Sequence, residues 1–410
     1  MQPTLFEKRP PFRVRVTHRR WDAVFVLGLA AAVIFLHFRL VGNGTAALTA
    51  APFATIGLLI WAAEPQISRR WAVSIIALLA VPALIFIIDS GSSGIEFVKT
   101  YIQWAFSTFV IVFAIAAPLA RSVSFIAPAC RLALGVVCLY GVIQVVSLQA
   151  FGTPLFYNPF GTHQYLSQYD LLLHSRDPRA PVFYLEPSFA ALVVTTCYFG
   201  AVSDGQRIRW STLFAIAGLL AIKSLAGFVV FGVLIIWQAK HVFSKEGRVI
   251  SVFGIVLSAL AADRFGLFEF IFRRSASGAI DGSSTYYRLI APLPVLRDIL
   301  LHSPLGAVFG SLNATIGKYG LLNGNRTGTS LDNGVYVLVF YFGWFALAAF
   351  VWIAIAVITG PAQTFWRRLF LFIFGTATVI YTGGIFGADF ILLAVIAILA
   401  WRGRVQEVNQ

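Results

Sequence analysis

Apolar runs of about 18 residues or more recur along this chain from residue 23 to residue 401, the length an α-helix needs to cross a bilayer. Inside hydrocarbon the backbone must satisfy its own N–H and C=O groups, and a helix does so. The fold class is therefore all-α, a polytopic integral membrane protein. Composition agrees. The 410 residues are 59% hydrophobic and only 12% charged, whereas a soluble domain carries about twice that charged fraction. The formal net charge of +14 does not point to nucleic acid. The basic residues fall as short clusters between apolar runs, so most of the charge reports topology. Cys130, Cys138 and Cys197 lie in or beside apolar runs. Their spacing matches no zinc or redox motif, and they read as small core residues.

Length places spans at 23–41, 45–63, 72–88, 101–120, 132–151, 183–203, 210–222, 226–240, 249–267, 333–359, 369–383 and 388–401. Lys/Arg clusters orient them, since cytoplasmic loops carry the excess of positive charge. More than half of the 31 lysines and arginines fall in the first twenty residues, at Arg69/Arg70, Arg121/Arg131, Arg207/Arg209, Lys240/Lys245/Arg248, Arg367/Arg368 and Arg402/Arg404. Both termini are then cytoplasmic, with about twelve spans in a single membrane domain over 1–410. Residues 1–22 form a basic cytoplasmic N-terminus. No small-residue cleavage site follows it, so the first helix reads as retained. The stretches 210–240 and 369–401 are too short for two full crossings each. Short helices are expected to turn at Lys223–Ser224 and at 383–387. Broken helices at membrane depth are tolerated where they line protein or water, which hints at a cavity.

Two segments on the opposite, outer side are long: 152–182 and 268–332. Both carry arginines that insertion does not need: Arg176 and Arg179 in the first, Arg273, Arg274, Arg288, Arg297 and Arg326 in the second. An anionic substrate at the outer face is a reason to keep them. The second segment includes an amphipathic stretch over 286–301, kinked at Pro292 and Pro294, expected to lie on the outer leaflet. Three constellations stand at the membrane edge. Arg176 and Arg179 precede Glu186-Pro187, which opens an apolar helix. Glu186 is either a helix N-terminal carboxylate or a carboxylate facing the outer cavity, taking a proton or holding an arginine. In Ser283-Ser284-Thr285-Tyr286-Tyr287-Arg288, Arg288 either snorkels or grips phosphate in a bidentate fork, with Tyr287 beside it for sugar. Asp332-Asn333 opens another apolar helix. One of the two serves as N-cap, which leaves the other free for catalysis or binding. Lys223 and Asp389, beside the two short-helix turns, are weaker candidates. His163, His174 and His302 lack metal-ligand spacing, and no Asp-x-Asp pair occurs in the outer segments, so no metal or cofactor is expected.

Four strings carry a family resemblance: Tyr184-Leu185-Glu186-Pro187-Ser188-Phe189-Ala190, Gly282-Ser283-Ser284-Thr285-Tyr286-Tyr287-Arg288, Leu331-Asp332-Asn333-Gly334-Val335-Tyr336, and Tyr341-Phe342-Gly343-Trp344-Phe345. In this order and topology the chain, over roughly residues 155 to 401, resembles the Wzy-type bacterial polysaccharide polymerases, which share a superfamily with the O-antigen ligases. Within that group it is most similar to the colanic acid polymerases. The resemblance implies a metal-independent, GT-C-like glycosyltransferase of the bacterial inner membrane. Such an enzyme joins undecaprenyl-pyrophosphate-linked repeat units at the periplasmic face, in exopolysaccharide or O-antigen-type assembly. It also implies Arg176, Arg179 and Arg288 as pyrophosphate ligands; for such a transfer Glu186 or Asp332 is the catalytic base, with Tyr287 and Asn333 as further substrate-binding candidates. Membrane lipid, a chain-length regulator protein and a flippase are implied as partners, and no nucleic acid. In the related ligases a histidine aligns with Asp332, a departure that favours polymerase over ligase. Two other functions stay open: a ligase transferring glycan to lipid A core, and a lipid-linked oligosaccharide flippase.

Overall fold

Helices that are apolar on every side dominate the computed structural model, as expected for elements buried in protein or lipid. It describes residues 19–41, 48–64, 67–88, 94–119, 123–152, 179–180, 182–184, 187–204, 208–237, 289–318, 331, 333–361, 365–380 and 382–409. In chain order the helices are α1 (Arg19–Ile34), α2 (Ala51–Ala62), α3 (Arg69–Ile88), α4 (Gly94–Ala116), α5 (Ile126–Phe151), α6 (Pro187–Ala201), α7 (Ile208–Ile222) and α8 (Leu225–Trp237). They continue as α9 (Leu293–His302), α10 (Leu312–Lys318), α11 (Gly334–Phe342), α12 (Trp344–Thr359), α13 (Phe365–Ile380) and α14 (Ala388–Asn409). By length and composition α3, α4 and α5 can each cross a membrane, and α1, α2, α6, α7, α8, α12 and α13 contain shorter apolar helices of 10–17 residues. The expected span at 249–267 lies outside the described residues.

Three expectations change. The first span is shorter than read: α1 ends at Ile34, and a small antiparallel hairpin follows, β1 (Arg39–Val41) with β2 (Leu48–Thr49), pairing Arg39 with Thr49. Sequence periodicity gave no sign of it. The helix expected over 333–359 is broken at Gly343, whose φ of +53° and ψ of −130° are open only to glycine. The prolines expected to kink the amphipathic stretch instead begin it. Pro292 is the N-cap residue of α9 and Pro294 lies in its first turn, where a missing N–H costs nothing. The turn expected at Lys223–Ser224 is present: Lys223 has φ +50°, and Ser224 Oγ accepts from the Gly227 backbone N–H at 3.4 Å, capping α8.

At the basic end, arginines do more than set topology. The last carbonyls of a helix have no intrahelical partner, and three arginines supply one. Arg131, on α5, donates to the Ala201 carbonyl at the end of α6 (3.0 Å) and to both oxygens of Asp204 (2.9 Å each). Arg402, on α14, donates to the Ala114 carbonyl at the end of α4 (2.7 Å). Arg368, on α13, donates to the carbonyls of Ala356 (2.6 Å) and Pro361 (2.8 Å) at the end of α12. A stack of Phe199, Trp237, Phe370 and Trp401 joins the same ends of α6, α8, α13 and α14. Helix α6 is the centre of the bundle. It is buried over nearly its whole length and packs on α5, α7, α8 and α14. Close approach is bought with small residues: Gly200 faces Cys130 and Gly218 faces Cys138. The three cysteines are buried packing groups.

The break at Gly343 receives a second segment. The Trp344 N–H donates to the Pro304 carbonyl (3.0 Å) and the Ala307 N–H to the Phe340 carbonyl (2.8 Å), so 304–307 docks on the α11–α12 corner. A Cβ on Gly343 would overlap the Pro304 carbonyl. Gly343→Ala is expected to destabilise the protein by roughly 1–3 kcal/mol for backbone strain, with the overlap added. Thermal unfolding of the detergent-solubilised variant would show the fall in Tm; an unchanged Tm would contradict the docking.

Candidate functional site

At the end away from the arginine caps, several helices stop short. Helix α5 rises about 30 Å from Arg131 to its last residue, whereas α6, capped at Ala201 by that arginine, is only about 21 Å long. Helix α4 rises about 30 Å from Ala114 to Gly94, whereas α14 rises only about 20 Å from Arg402 to Asp389. The starts of α6 and α14 therefore lie about 10 Å below the tops of α5 and α4. The link ahead of α14 is deeper still: Ser107, past the midpoint of α4, donates through Oγ to the Phe386 carbonyl at 3.1 Å, fully buried. Among the described residues, these recessed starts form a floor below the tops of α5 and α4.

Polar groups collect at that floor. His37, just past α1, is 5% exposed. Its Nε2 lies 3.6 Å from Asp389 Oδ2, in the first turn of α14. The hairpin places Thr49 so that its Oγ1 donates to Asp389 Oδ1 at 3.1 Å. Phe189, in the first turn of α6, lies 4.4 Å from the His37 ring, and Tyr184 meets that ring edge-on at 5.6 Å. Tyr184 is anchored in turn by donating to the Val33 carbonyl at 3.1 Å. Ends of α1, α6 and α14 and the hairpin thus converge on one carboxylate–imidazole pair.

Two flanks meet this cluster. On one, the segment 179–184 lies between α5 and α7. The Ala180 N–H donates to the Ala221 carbonyl (3.1 Å), and the Val182 N–H, at φ +57°, donates to the side-chain oxygen of fully buried Gln144 (3.2 Å). On the other, α11 starts against the α13–α14 link. A Cβ on Gly334 would overlap Ile385 and approach the carbonyls of Thr382 and Val379 to 2.8 Å.

Of the candidates read from sequence, Arg179 and Asn333 are described. Arg179 is half-buried on the first flank. Asn333 is 2% exposed on the second, and its Oδ1 accepts from the N–H groups of Val335 (3.0 Å) and Tyr336 (3.4 Å) as the N-cap of α11. That cap uses the side-chain oxygen that glycan binding would have needed. Arg176, Glu186, Tyr287, Arg288 and Asp332 lie outside the described residues, as do Arg273, Arg274 and Arg326. Arg297 is exposed on α9. Sequence reasoning passed over His37 and Thr49 and ranked Asp389 low. One signal was available: a lone histidine and a lone carboxylate, each inside an apolar run, are costly at membrane depth and are kept there for a reason.

A helical membrane protein with a carboxylate–imidazole pair at the end away from its arginine-capped helix ends is the class that fold and site define. The family profile described as WcaD colanic acid polymerase matches residues 24–403, and the chain belongs to that family. It is 27% identical over 224 residues to the Escherichia coli (strain K12) protein named "Putative colanic acid polymerase", covering 53% of this chain and 55% of that protein. The chain thus spans about half the length of the curated relative it matches. No solved structure matches it.

Removing the α11 cap tests the assignment of Asn333. Asn333→Ala should cost about 0.5–2 kcal/mol, read as a lower Tm, and Asn333→Ser should recover most of it. Equal loss in both variants would show that the side chain serves something other than the cap.

Proposed function

We propose that this protein is a polysaccharide polymerase that joins undecaprenyl-pyrophosphate-linked repeat units. The observation that carries this reading is membership of a colanic acid polymerase family over nearly the whole chain. In this reading the chain is one membrane domain of the bacterial inner membrane, GT-C-like, with about twelve spans and both termini cytoplasmic. Segments 152–182 and 268–332 are then its periplasmic segments.

Glycosyl transfer without metal has two electrostatic needs. Negative charge gathers on the departing pyrophosphate, and preorganised cations in a water-poor site stabilise it. Arg176, Arg179 and Arg288 serve here, guanidinium forks matching phosphate oxygens, with Tyr287 on the glycan side. The acceptor hydroxyl must also lose its proton to a placed carboxylate, for which Glu186 and Asp332 are the candidates read from sequence. Attack from the face opposite the leaving group inverts the anomeric centre. A groove of ≈ 1040 Å³ between α9 and the α11–α12 corner, lined by Leu293, Leu296, Leu300, Val335, Tyr336 and Trp344, suits the polyprenyl chain. Arg297, also on its wall, attracts the anionic headgroup. A flippase that delivers the units and a chain-length regulator are the protein partners this role requires.

Purified protein in nanodiscs, given lipid-linked repeat units extracted from cells lacking it, should lengthen the glycan. Arg288→Ala should lower the rate by about 10²–10³ while the protein still inserts and elutes as one species; full activity would remove Arg288 from the site. Cells lacking the protein should accumulate single repeats. Long chains left unattached in those cells would instead mark a ligase, and units that cross vesicles without lengthening would mark a flippase.

A further inference from the structure

The pair of His37 and Asp389 has no part in the scheme above. Packing does not explain it. An aspartate in the first turn of a helix is already satisfied by the free N–H groups there and has no need of a histidine. A buried apolar position is filled at lower cost by an apolar side chain than by two ionisable ones. The geometry is also asymmetric. The Asp389 side chain is 27% exposed and the His37 side chain 6%, so the carboxylate is the accessible partner and the imidazole backs it. Oδ1 is held by Thr49 at 3.1 Å. Oδ2 faces His37 at 3.6 Å. The imidazole cannot swing away, because Phe189 and Tyr184 wall it in at 4.4 and 5.6 Å. Thr49 and Asp389 are 340 residues apart in sequence, and a dedicated hairpin carries the threonine into place.

We infer that Asp389 is the proton acceptor for the attacking sugar hydroxyl, with His37 and Thr49 as its positioning residues. The inference rests on the polymerase reading and deepens it. The step balances without a further reagent. The acceptor O–H bond breaks and its proton passes to Asp389 Oδ2. The freed oxygen pair forms the new C–O bond at the anomeric carbon. The bond from that carbon to the pyrophosphate oxygen breaks, and its electron pair leaves with the lipid pyrophosphate, which the arginines of the proposed function receive. Glu186 then keeps its other proposed role, holding an arginine.

The test uses full-length protein in nanodiscs and the extracted lipid-linked repeat units. Asp389→Asn keeps the shape and the bond from Thr49 but cannot take a proton. It should lose about 10²-fold or more in kcat, with KM within threefold and Tm unchanged. His37→Phe keeps the aromatic packing and removes the ring nitrogens. It should lower kcat without lowering Tm, and His37→Gln, which restores an N–H near Oδ2, should recover part of the rate. A merely structural pair would move Tm and leave kcat per folded molecule intact. Wild-type turnover in Asp389→Asn overturns the assignment and leaves the polymerase reading standing. Failure of the wild-type protein to lengthen any glycan overturns both. Should Asp389→Asn not insert, the two His37 variants decide: equal kcat in Phe and Gln variants counts against the assignment.

Discussion

Helix ends govern this structure. In hydrocarbon no water is at hand for the free carbonyls and N–H groups that every helix leaves at its termini, so each end must reach the membrane surface or find a protein partner. The two ends of the bundle meet this demand differently. At the basic end Arg131, Arg368 and Arg402 reach across to the final carbonyls of α6, α12 and α4. These arginines therefore complete the helices, and their positive charge opposes the negative end of each helix dipole.

The other end is where function is built. Helices α6 and α14 stop about 10 Å short of their neighbours, and their recessed starts must be satisfied within the protein. Asn333 caps α11, Ser224 caps α8, and Asp389 sits in the first turn of α14. Once polar groups are required there for structural reasons, a small change in surroundings turns them to chemistry. Asp389 differs from Asn333 in this respect. The oxygen of Asn333 is consumed by two backbone N–H groups within a buried corner. The carboxylate of Asp389 is shared with a threonine and a histidine from distant parts of the chain and stays partly exposed.

Glycine positions make close approaches between the later helices. Gly334 lets the start of α11 press against the α13–α14 link, and Gly343 lets the chain turn sharply enough to receive 304–307. Two of the four strings that resemble the Wzy-type polymerases contain these glycines. In those strings part of the likeness is backbone geometry: Gly343 in Tyr341–Phe345 is a corner, and the Asn333-Gly334 pair is a cap followed by a contact.

Hydropathy is a local property, so the residues alone placed most of the described helices and located the short-helix turns at Lys223–Ser224 and 383–387. They also carried the family likeness, which needs only strings in order. The hairpin escaped them because three- and two-residue strands leave no periodicity to read. The break at Gly343 escaped because one glycine in an apolar run is compatible with a continuous helix until a second segment docks on it. The cluster of His37, Thr49 and Asp389 lay beyond them for a deeper reason. Each residue is unremarkable in its own window. Their meeting depends on how far α1 and α14 rise, which depends in turn on where other helices cap those ends. Such a meeting is a sum over the whole bundle, and only the packed chain performs it.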